Sequence, residues 1–388
     1  MSNQIDTLIP RITARSLLAF REQAILPRLV NASFSAEAAR RGDVIDVPVS
    51  SRVEVSDVTP SHTPPAPPDS SVSSVPIALN NWKKASFYLT DQEMMQIEAD
   101  ESFLPLQMRE AVLALARAVN QSILDLHCQI PSVIGTPNHT PFAPPPANAE
   151  DQEAHHGVAA AITARKMLNA AGAPKTGRFA IINYDAEANA LGLPQFADAT
   201  KAGSDSVPME GELGRKFGID WFSTDEVAVV GHKECDLAVR QHTKVGDKTL
   251  SLTLGQGRVQ KGMLLKLPES DQLYTVTGLH NTEDASAQKL SVSPAIDIVT
   301  TKVEVTPYSH VPVNMILQRD AIALAMRPLT SGGMETGSAG QMMSITDPQT
   351  GLSLRLEVSR QYKQTVWELD ILWGVALLRP DWAVRLVG

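Results

Sequence analysis

The sequence predicts an α+β fold of several domains, and three patterns support this. Alternating apolar and polar residues at 43–58 and 75–89 predict β-strands. Apolar residues recur every three or four positions between 102 and 127, which predicts a long helix. Five short strand-like segments separated by turn residues, within 231–308, predict a small antiparallel barrel or sandwich. Because 388 residues exceed what one hydrophobic core usually serves, we expect two or three domains.

The charge and cysteine content restrict the class of protein. A formal net charge of -9 argues against a free nucleic-acid binder. The charges are unevenly distributed along the chain, because residues 1–41 hold six arginines against three acidic residues. This local excess of positive charge is typical of a solvated helix face or of a surface that contacts an acidic partner. Two cysteines, Cys128 and Cys235, do not form a disulfide framework, so we expect a reducing cytoplasm.

Neither an export signal nor a membrane span is predicted. Charged residues and a proline interrupt the apolar stretch 17–30, which no signal-peptide core would tolerate. The longest charge-free tract, 129–149, contains six prolines and therefore does not form a membrane-spanning helix. We expect a soluble protein.

The N-terminal segment predicts two short helices. Thr13 is a candidate N-cap of the first, and Pro27 is expected to end it. The second is expected at 35–40, with Gly42 after it. Basic residues are expected on the exposed side of the first helix. Its apolar residues lie on or near one face: Leu17, Leu18, Ile25 and Leu26.

The two alternating segments predict one long hairpin with a proline-rich tip. Its tip, residues 58–74, reads "VTPSHTPPAPPDSSVSS", and Asn80 and Asn81 interrupt the returning strand. A two-stranded hairpin is marginally stable alone in water. We therefore expect this arm to obtain its stabilising contacts elsewhere, which is the first indication of assembly.

The middle of the chain predicts a long helix followed by an α/β region. The helix runs from Ser102, with Pro105 in its first turn, to about His127, a length of roughly 36 Å at 1.5 Å per residue. A loop is expected up to Ala149. The α/β elements that follow are a helix at 154–171, a strand at 178–182, a helix capped by Asp185, and a strand in "FGIDWFSTDEVAVV".

The second half predicts mostly strands. The five strand-like segments are "KTLSLTLGQG", "GMLLKL", "QLYTVTGL", "QKLSVSPAI" and "KVEVTPY". They form an insertion, since "NMILQRDAIALAMRPL" resumes the mixed pattern. Gly351 is expected in the turn before the last strands, "GLSLRLEVSRQY" and "WELDILWGVALLRPDWAVRLV".

No catalytic, cofactor or metal site is predicted. His232, Cys235 and His242 offer one soft ligand and no second pair, so a linker into the insertion is favoured over a zinc site. The glycine-rich stretches "GQGRVQ" and "GGMETGSAG" lack the residues that dinucleotide and phosphate loops require. No G-x-S-x-G nucleophile elbow occurs.

Four stretches and the order of elements resemble a known family. The stretches are "RRGDVIDVPV", "GELGRKFGIDWFSTDEV", "VNMILQRDAIALAMRPL" and "WELDILWGVALLRPDWAVRLV". The chain resembles the major capsid (coat) protein of tailed double-stranded DNA bacteriophages, in the branch of the Hong Kong 97-like fold with an inserted β-barrel domain. The resemblance covers nearly the whole chain and depends on order and spacing more than on any single motif.

The resemblance implies a division of the chain into seven parts. We expect an N-terminal arm, an extended β-hairpin loop, a spine helix with peripheral domain, an axial α/β domain interrupted by the β-barrel, and C-terminal peripheral strands. The expected boundaries in chain order are 1–42, 43–92, 93–148, 149–230, 231–308 for the barrel, 309–330 for the second axial part, and 331–388.

It also implies that the protein is a self-assembling subunit of an icosahedral head and not an enzyme. In the family the hairpin lies over a neighbouring subunit. A proline-rich tip loses little entropy on ordering and does not recruit other strands. The candidate assembly contacts are therefore Pro64, Pro65, Pro67, Pro68 and Trp82.

The expected partners follow from the same resemblance. They are copies of the chain in hexamers and pentamers, scaffolding and portal proteins, a candidate decoration protein, and packaged double-stranded DNA bound without sequence specificity. No cofactor and no membrane are expected, and the protein is expected in the virion after assembly in the host cytoplasm. The alternatives are an encapsulin-like shell protein and, from a different class, a metal-dependent hydrolase that uses His232, Cys235 and His242.

Overall fold

The computed structural model divides the chain into two compact units. The first unit comprises Met1–Ala116 and Ile322–Leu378, and the second comprises Arg117–Ala321 and Arg379–Gly388. Helices and several sheets are both present, so the predicted α+β class is confirmed. The structure describes residues 5–34, 44–50, 72–92, 106–137, 139–144, 157–197, 213–230, 237–239, 244–254, 259, 261–267, 270, 272–280, 287–299, 304–308, 311–329, 340–347 and 351–388.

Helices occur in both units. The α-helices in the described ranges are α1 Ile5–Gln23, α2 Leu26–Leu29, α3 Leu106–Leu124, α4 Ala159–Ala170, α5 Tyr184–Leu191 and α6 Pro194–Ala197. Short 3-10 helices lie at Asp125–Gln129, Arg319–Ala321 and Pro380–Trp382.

The strands are short in the middle of the chain and long at its end. In chain order they are β1 Val44–Ser50, β2 Val72–Ala78, β3 Asn81–Thr90, β4 Val133–Ile134, β5 Arg178–Ile182, β6 Arg215–Lys216, β7 Ile219–Ser223, β8 Val229–Val230, β9 Leu237–Val239, β10 Thr249–Leu254, β11 Leu264–Lys266, β12 Leu273–His280, β13 Ala287–Ser293, β14 Glu304–Tyr308, β15 Val311–Gln318, β16 Ile322–Arg327, β17 Gly340–Thr346, β18 Ser353–Gln361, β19 Gln364–Leu377 and β20 Ala383–Val387.

The N-terminal helix differs from its prediction at both ends. It begins earlier, at Ile5, and Thr13 is buried within it rather than capping it. Pro27 does not terminate a helix but lies in the first turn of α2, where the missing N–H costs little. The predicted helix at 35–40 lies outside the described residues.

In the first unit, β1 and β2 form the base of the predicted hairpin. They pair antiparallel, from Val44 opposite Ala78 to Ser50 opposite Val72. One face of this hairpin packs against β16 and β19, which supplies the contacts that a lone hairpin lacks. The buried members of this hairpin-base core are Ile45, Val47, Ile77, Leu79, Ala323 and Ala325.

The returning strand of the hairpin is two strands, not one. The prediction placed one returning strand at 75–89 with an interruption at Asn80 and Asn81; in the structure β2 ends at Ala78 and β3 begins at Asn81. β3 leaves the hairpin and pairs antiparallel with β19, from Asn81 opposite Trp373 to Thr90 opposite Gln364. The break at Leu79 and Asn80 lets the chain change partner, because β19 offers β3 a backbone ladder along its whole length.

The C-terminal sheet is built around β19, which is 14 residues long. Its strand order is β16-β19-β18-β17, and β3 also pairs with β19. Trp367 and Trp373 on β19 are fully buried and face the core of the first unit. The strands predicted from "GLSLRLEVSRQY" and "WELDILWGVALL" are confirmed as β18 and β19, with Gly351 before them.

Gly374 on β19 allows the hairpin base to approach closely, and substituting it should be costly. A Cβ at this position would lie 2.2 Å from the backbone oxygen of Ala78. We expect Gly374→Ala to lower the free energy of unfolding by about 1–3 kcal/mol, since backbone has to shift. Chemical denaturation measures this. Gly278→Ala is the matched control, because its Cβ would meet Ser291 at an ordinary 3.5 Å; equal losses for both variants would contradict the prediction.

The long predicted helix is present as α3. The structure describes it from Leu106, and its α-helical part ends at Leu124, after which a 3-10 helix continues to Gln129. Nineteen α-helical residues span about 28 Å. The predicted apolar positions are buried along one face: Met108, Val112, Leu115, Val119, Ile123 and Leu126.

A mixed sheet forms the centre of the second unit. Its strand order is β4-β20-β15-β5-β7-β6, with β8 also pairing with β15. The aromatic rings of Phe142, Phe196 and Trp221 pack edge to face in the core on one side of this sheet.

Two local predictions in this region were wrong. The segment 129–149 is not only loop, because Val133 and Ile134 form β4 alongside β20. The N-cap of α5 is Asn183, whose side chain accepts a hydrogen bond from the Ala186 N–H, while Asp185 lies in the first turn. Asn and Asp are both good caps, and the sequence alone did not indicate which position starts the helix.

The inserted β-region is a closed barrel of order β10-β13-β12-β11-β14-β9. It contains the five predicted strands and a sixth, Leu237–Val239, in the segment that was interpreted as a linker. This strand pairs with both β10 and β14 and so closes the barrel. Three residues are too few for a periodic pattern, yet closure requires them, because an open barrel would leave two sheet edges unpaired.

The last two predicted parts of the chain contribute to more than one sheet. Within 309–330, β15 belongs to the central sheet and β16 to the C-terminal sheet. Within 331–388, β20 returns to the central sheet beside β15. The seven-part division and its boundaries remain predictions.

Candidate functional site

Trp82, the candidate assembly contact that lies within the described residues, is on one face of the C-terminal sheet. Alternate residues of β3, β19, β18 and β17 point to this side, while the intervening residues, such as Trp367 and Leu369, are buried. We call it the outer face. By register its members are Trp82, Lys84, Ser86, Tyr88, Val366, Glu368, Asp370, Leu372, Arg355, Glu357, Ser359, Met342 and Ser344.

Large side chains on the outer face are exposed to solvent. Trp82 is 65% exposed, Tyr88 62% and Met342 48%. Trp, Tyr and Met are enriched at protein interfaces, and Trp and Tyr bury much area at little loss of side-chain entropy. The other predicted contacts, Pro64, Pro65, Pro67 and Pro68, lie outside the described residues.

Trp82 is also tied to its own chain through Asp370. The indole Nε1–H of Trp82 donates to Asp370 Oδ2 at 2.9 Å. Arg355 donates to the same carboxylate through Nε at 2.8 Å and through Nη2. Asp370 is 6% exposed, and its hydrogen bond is the main reason that the pKa of Arg355 is raised. This three-residue network joins β3, β19 and β18, and so fixes the orientation of the exposed indole ring.

Two further ion pairs connect β3 and the residue after it to this sheet. Lys84 Nζ lies 3.0 Å from Glu368 Oε1 on the outer face. At the far end of β3, Arg360 donates to both carboxylate oxygens of Asp91, at 2.5 and 2.9 Å. The hydrogen bond from Arg360 lowers the pKa of Asp91, against a smaller opposing effect of burial. The strand that leaves the hairpin is therefore held to its new partner by side chains as well as by backbone.

Sequence reasoning identified Trp82 and missed its partners. Arg355, Glu357, Glu368 and Asp370 are charged residues at alternate positions of two long apolar strands. That alternation is a sign of charged residues opposite one another on the solvent side of a sheet. It would have indicated the outer face, but it does not reveal which charges pair.

A second polar cluster lies in the second unit, in the 3-10 helix that follows α3. His127 and Cys128 are in the 3-10 helix and are 7% and 6% exposed, and Arg385 on β20 is fully buried. His127 Nδ1 lies 2.9 Å from the Leu124 carbonyl oxygen, to which the neutral ring donates. Burial lowers the pKa of His127, and the charges of Arg385 and Lys261 lower it further, while the Leu124 hydrogen bond and Asp125 act in the opposite direction.

Stability should depend on pH through His127. Since its pKa is lower in the folded state, the unfolded chain binds the proton more readily, so folding is most stable above the unfolded value of about 6.5. Below that pH the free energy of unfolding should fall, by at most about 1.4 kcal/mol per pH unit for one proton, until the folded-state pKa is passed. Urea unfolding from pH 5 to 7.5 measures this slope.

The slope should be smaller in His127→Gln, which lacks the titrating ring. His280 provides the control, because it is exposed and hydrogen-bonded to Ser291. His280→Gln shows what the same substitution does at an exposed histidine. Equal slopes for wild type and His127→Gln would show that His127 does not contribute to the pH dependence.

The structure bears only partly on the metal and membrane expectations. His232, Cys235 and His242 lie outside the described residues. Within the residues that are described, no group of three or more His, Cys, Asp or Glu side chains could hold a metal ion. In those same ranges no helix has the length and apolar character needed to cross a membrane.

Comparison with known proteins finds solved structures that align with most of this chain at low sequence identity. No protein-family model matches the chain, and no curated protein sequence does. A structure from Mycobacterium phage Che8 is 13% identical with a TM-score of 0.46, over 92% of this chain and 89% of that one. The capsid of cyanophage P-SCSP1u is 13% identical with a TM-score of 0.44, over 89% and 83%. A virus-like particle from Pyrococcus furiosus is 8% identical with a TM-score of 0.40, over 96% of both chains.

Proposed function

We propose that the chain is a major capsid protein that assembles into an icosahedral phage head around double-stranded DNA. The observation that carries this proposal is the order of elements in the chain itself. A basic N-terminal helix, a hairpin with a proline-rich tip, a long helix, a sheet interrupted by a closed barrel and a final long-stranded sheet follow one another. This is the order that the resemblance to Hong Kong 97-like capsid proteins implies.

The contacts of the hairpin base support an assembly role. Ile45, Ile77 and their neighbours anchor the hairpin base in the first unit. We propose that the tip, with four prolines at 64, 65, 67 and 68, binds a second copy of the chain. Trp82 and Tyr88, on the strand that follows the hairpin, give the outer face the exposed aromatic side chains that interfaces use.

The finer parts of the proposal concern partners. We propose hexamers and pentamers of this chain as building blocks, with scaffolding and portal proteins acting during assembly in the host cytoplasm and a decoration protein as a candidate ligand of the finished shell. Six arginines in residues 1–41 provide positive charge for packaged DNA, while the net charge of -9 disfavours tight binding along the rest of the chain. We propose no catalytic role.

The decisive experiment is to express the chain alone and examine it by analytical ultracentrifugation and negative-stain microscopy. Shells, tubes or hexameric and pentameric rings are the expected result. A small, compact species that stays unchanged at high concentration and with a crowding agent would contradict self-assembly of the chain by itself. Metal analysis then separates the hydrolase alternative, which requires stoichiometric metal and loss of function in His232→Ala. DNA inside shells from infected cells separates a phage head from an encapsulin-like shell.

A further inference from the structure

Arg385 is a buried positive charge without a counter-charge in the described part of the chain. It is 0% exposed, and none of its three guanidinium nitrogens has a hydrogen-bond partner. A buried charge is costly unless it is paired and hydrogen-bonded. Burial lowers the pKa of Arg385 to about 9, so the side chain still carries its charge at neutral pH.

Two other arginines with little exposure show how this chain normally satisfies such a group. Arg178 donates to the carbonyl oxygens of Pro174 and Ala173, each at 2.7 Å. Arg355 forms its ion pair with Asp370. Among the described residues Arg385 has neither kind of partner, so its five N–H donors require something that this part of the chain does not supply.

The strand geometry places Arg385 at a junction within the second unit. On β20, Val384 and Leu386 point into the core of the central sheet, so Arg385 points to the other side, as Val387 does. Val387 packs there with Leu264 of the barrel strand β11. The guanidinium is therefore enclosed between the central sheet and the elements packed on it.

The buried groups beside Arg385 in the described part of the chain include no carboxylate. The charges of Arg385 and of Lys261 both act on the pKa of His127 and of Cys128, so these side chains lie near one another. His127 Nε2 is also buried without a hydrogen-bond partner, but it is the acceptor nitrogen of the neutral ring and gives an anion no donor, so the donors of the site are those of Arg385. Gly262 lies against this edge of the ring, since a Cβ on it would be 3.2 Å from Nε2. Asp125 is also nearby, but it is exposed and accepts a hydrogen bond from Gln121.

We infer that the Arg385 guanidinium, beside His127 and Cys128, is a buried binding site for one small monovalent anion of the chloride class. A single negative charge matches the single charge of Arg385. All three side chains are nearly completely buried, so a small halide has to displace fewer packed atoms than a larger oxyanion would. Lys261, at the solvent side, adds attraction for an anion entering from water.

The test is thermal unfolding of the full chain at pH 7.5 in sodium chloride and in sodium gluconate of equal ionic strength. Chloride at about ten times its Kd should raise the unfolding midpoint of the second unit by about 3–6 °C. Bromide should raise the midpoint by a similar amount. Sulfate should raise it only by its general salt effect on stability. Equal midpoints in chloride and gluconate, or an equal rise with the bulky anions, would overturn the inference.

Two variants separate this site from general salt effects. Arg385→Met should abolish the difference between chloride and gluconate, because it removes the charge while filling similar volume. Arg355→Met is the matched control: it should be less stable in both salts and keep the wild-type difference. A chloride response that persists in Arg385→Met would also overturn the inference. If Arg385→Met does not fold, the series of anions on the wild-type chain decides by itself.

Discussion

Removing residues 60–70 should abolish the formation of shells while leaving the subunit folded. The deletion keeps β1 and β2 intact, including the pair of Ser50 and Val72. It also keeps the hairpin-base core that packs on Ala323 and Ala325. What it removes is the proline-rich tip, for which we propose contacts with a second copy of the chain. Sedimentation and negative-stain microscopy report the assembly, and circular dichroism with urea unfolding reports the fold.

A length-matched variant separates the reach of the tip from its composition. Replacing residues 60–70 with glycine and serine preserves the length but makes the unbound tip more flexible, so ordering it on a neighbour costs more entropy. Such a chain should assemble only at higher concentration than the wild type. Normal shells from the deleted chain would show that the tip has no role in assembly. An unfolded deletion variant would show that the hairpin base depends on its tip.

Replacing Asp370 with alanine should be the most destabilising single change on the outer face. The substitution leaves Arg355, whose side chain is 17% exposed, without its counter-charge, and it removes the acceptor of the Trp82 indole N–H. Breaking a buried ion pair typically lowers the free energy of unfolding by about 3–5 kcal/mol. Because Arg355 is partly exposed, we expect a loss at the lower end, about 3 kcal/mol. Urea unfolding of the first unit measures this loss.

The neighbouring pair on the same strands is the control. Lys84 and Glu368 have side chains that are 61% and 31% exposed, so Glu368→Ala should cost no more than about 1 kcal/mol. Trp82→Phe keeps an aromatic ring but loses the N–H donor, and should cost about 1 kcal/mol. If Asp370→Ala and Glu368→Ala are equally mild, the network does not hold β3 to the sheet. A double-mutant cycle of Asp370→Ala with Arg355→Met would then show no coupling.

Most individual elements could be predicted from the sequence, since their signals are local. The sequence shows the apolar period of α3, which places Met108, Val112 and Leu115 on one buried face. The strands of the barrel and of the C-terminal sheet show the alternation or the β-branched residues that strands favour. The candidate contact Trp82 could also be found, because it is a large aromatic residue on a strand after the proposed contact loop.

The features that sequence reasoning missed depend on partners that are distant in the chain. β9 is only three residues long and is a strand because β10 and β14 need it to close the barrel. The predicted linker at Leu237 was wrong because three residues are too few to show a period, whereas the predicted cap at Asp185 was wrong because Asn183 is an equally good cap residue. The partners Arg355 and Asp370 were missed because alternation identifies a face without the register of its strands.

By itself, the sequence determined the α+β class, the positions of the long helix and long strands, and the absence of a recognisable catalytic motif. Each of these depends on composition or on a period within one segment. Only the tertiary structure decided that β3 leaves the hairpin for β19, and that Trp82 bonds Asp370 at a separation of 288 residues. It also decided that Arg385 is buried without a hydrogen-bond partner among the residues that the structure describes. Pairing and burial are properties of packed neighbours, and a residue's neighbours in space are set by the whole fold.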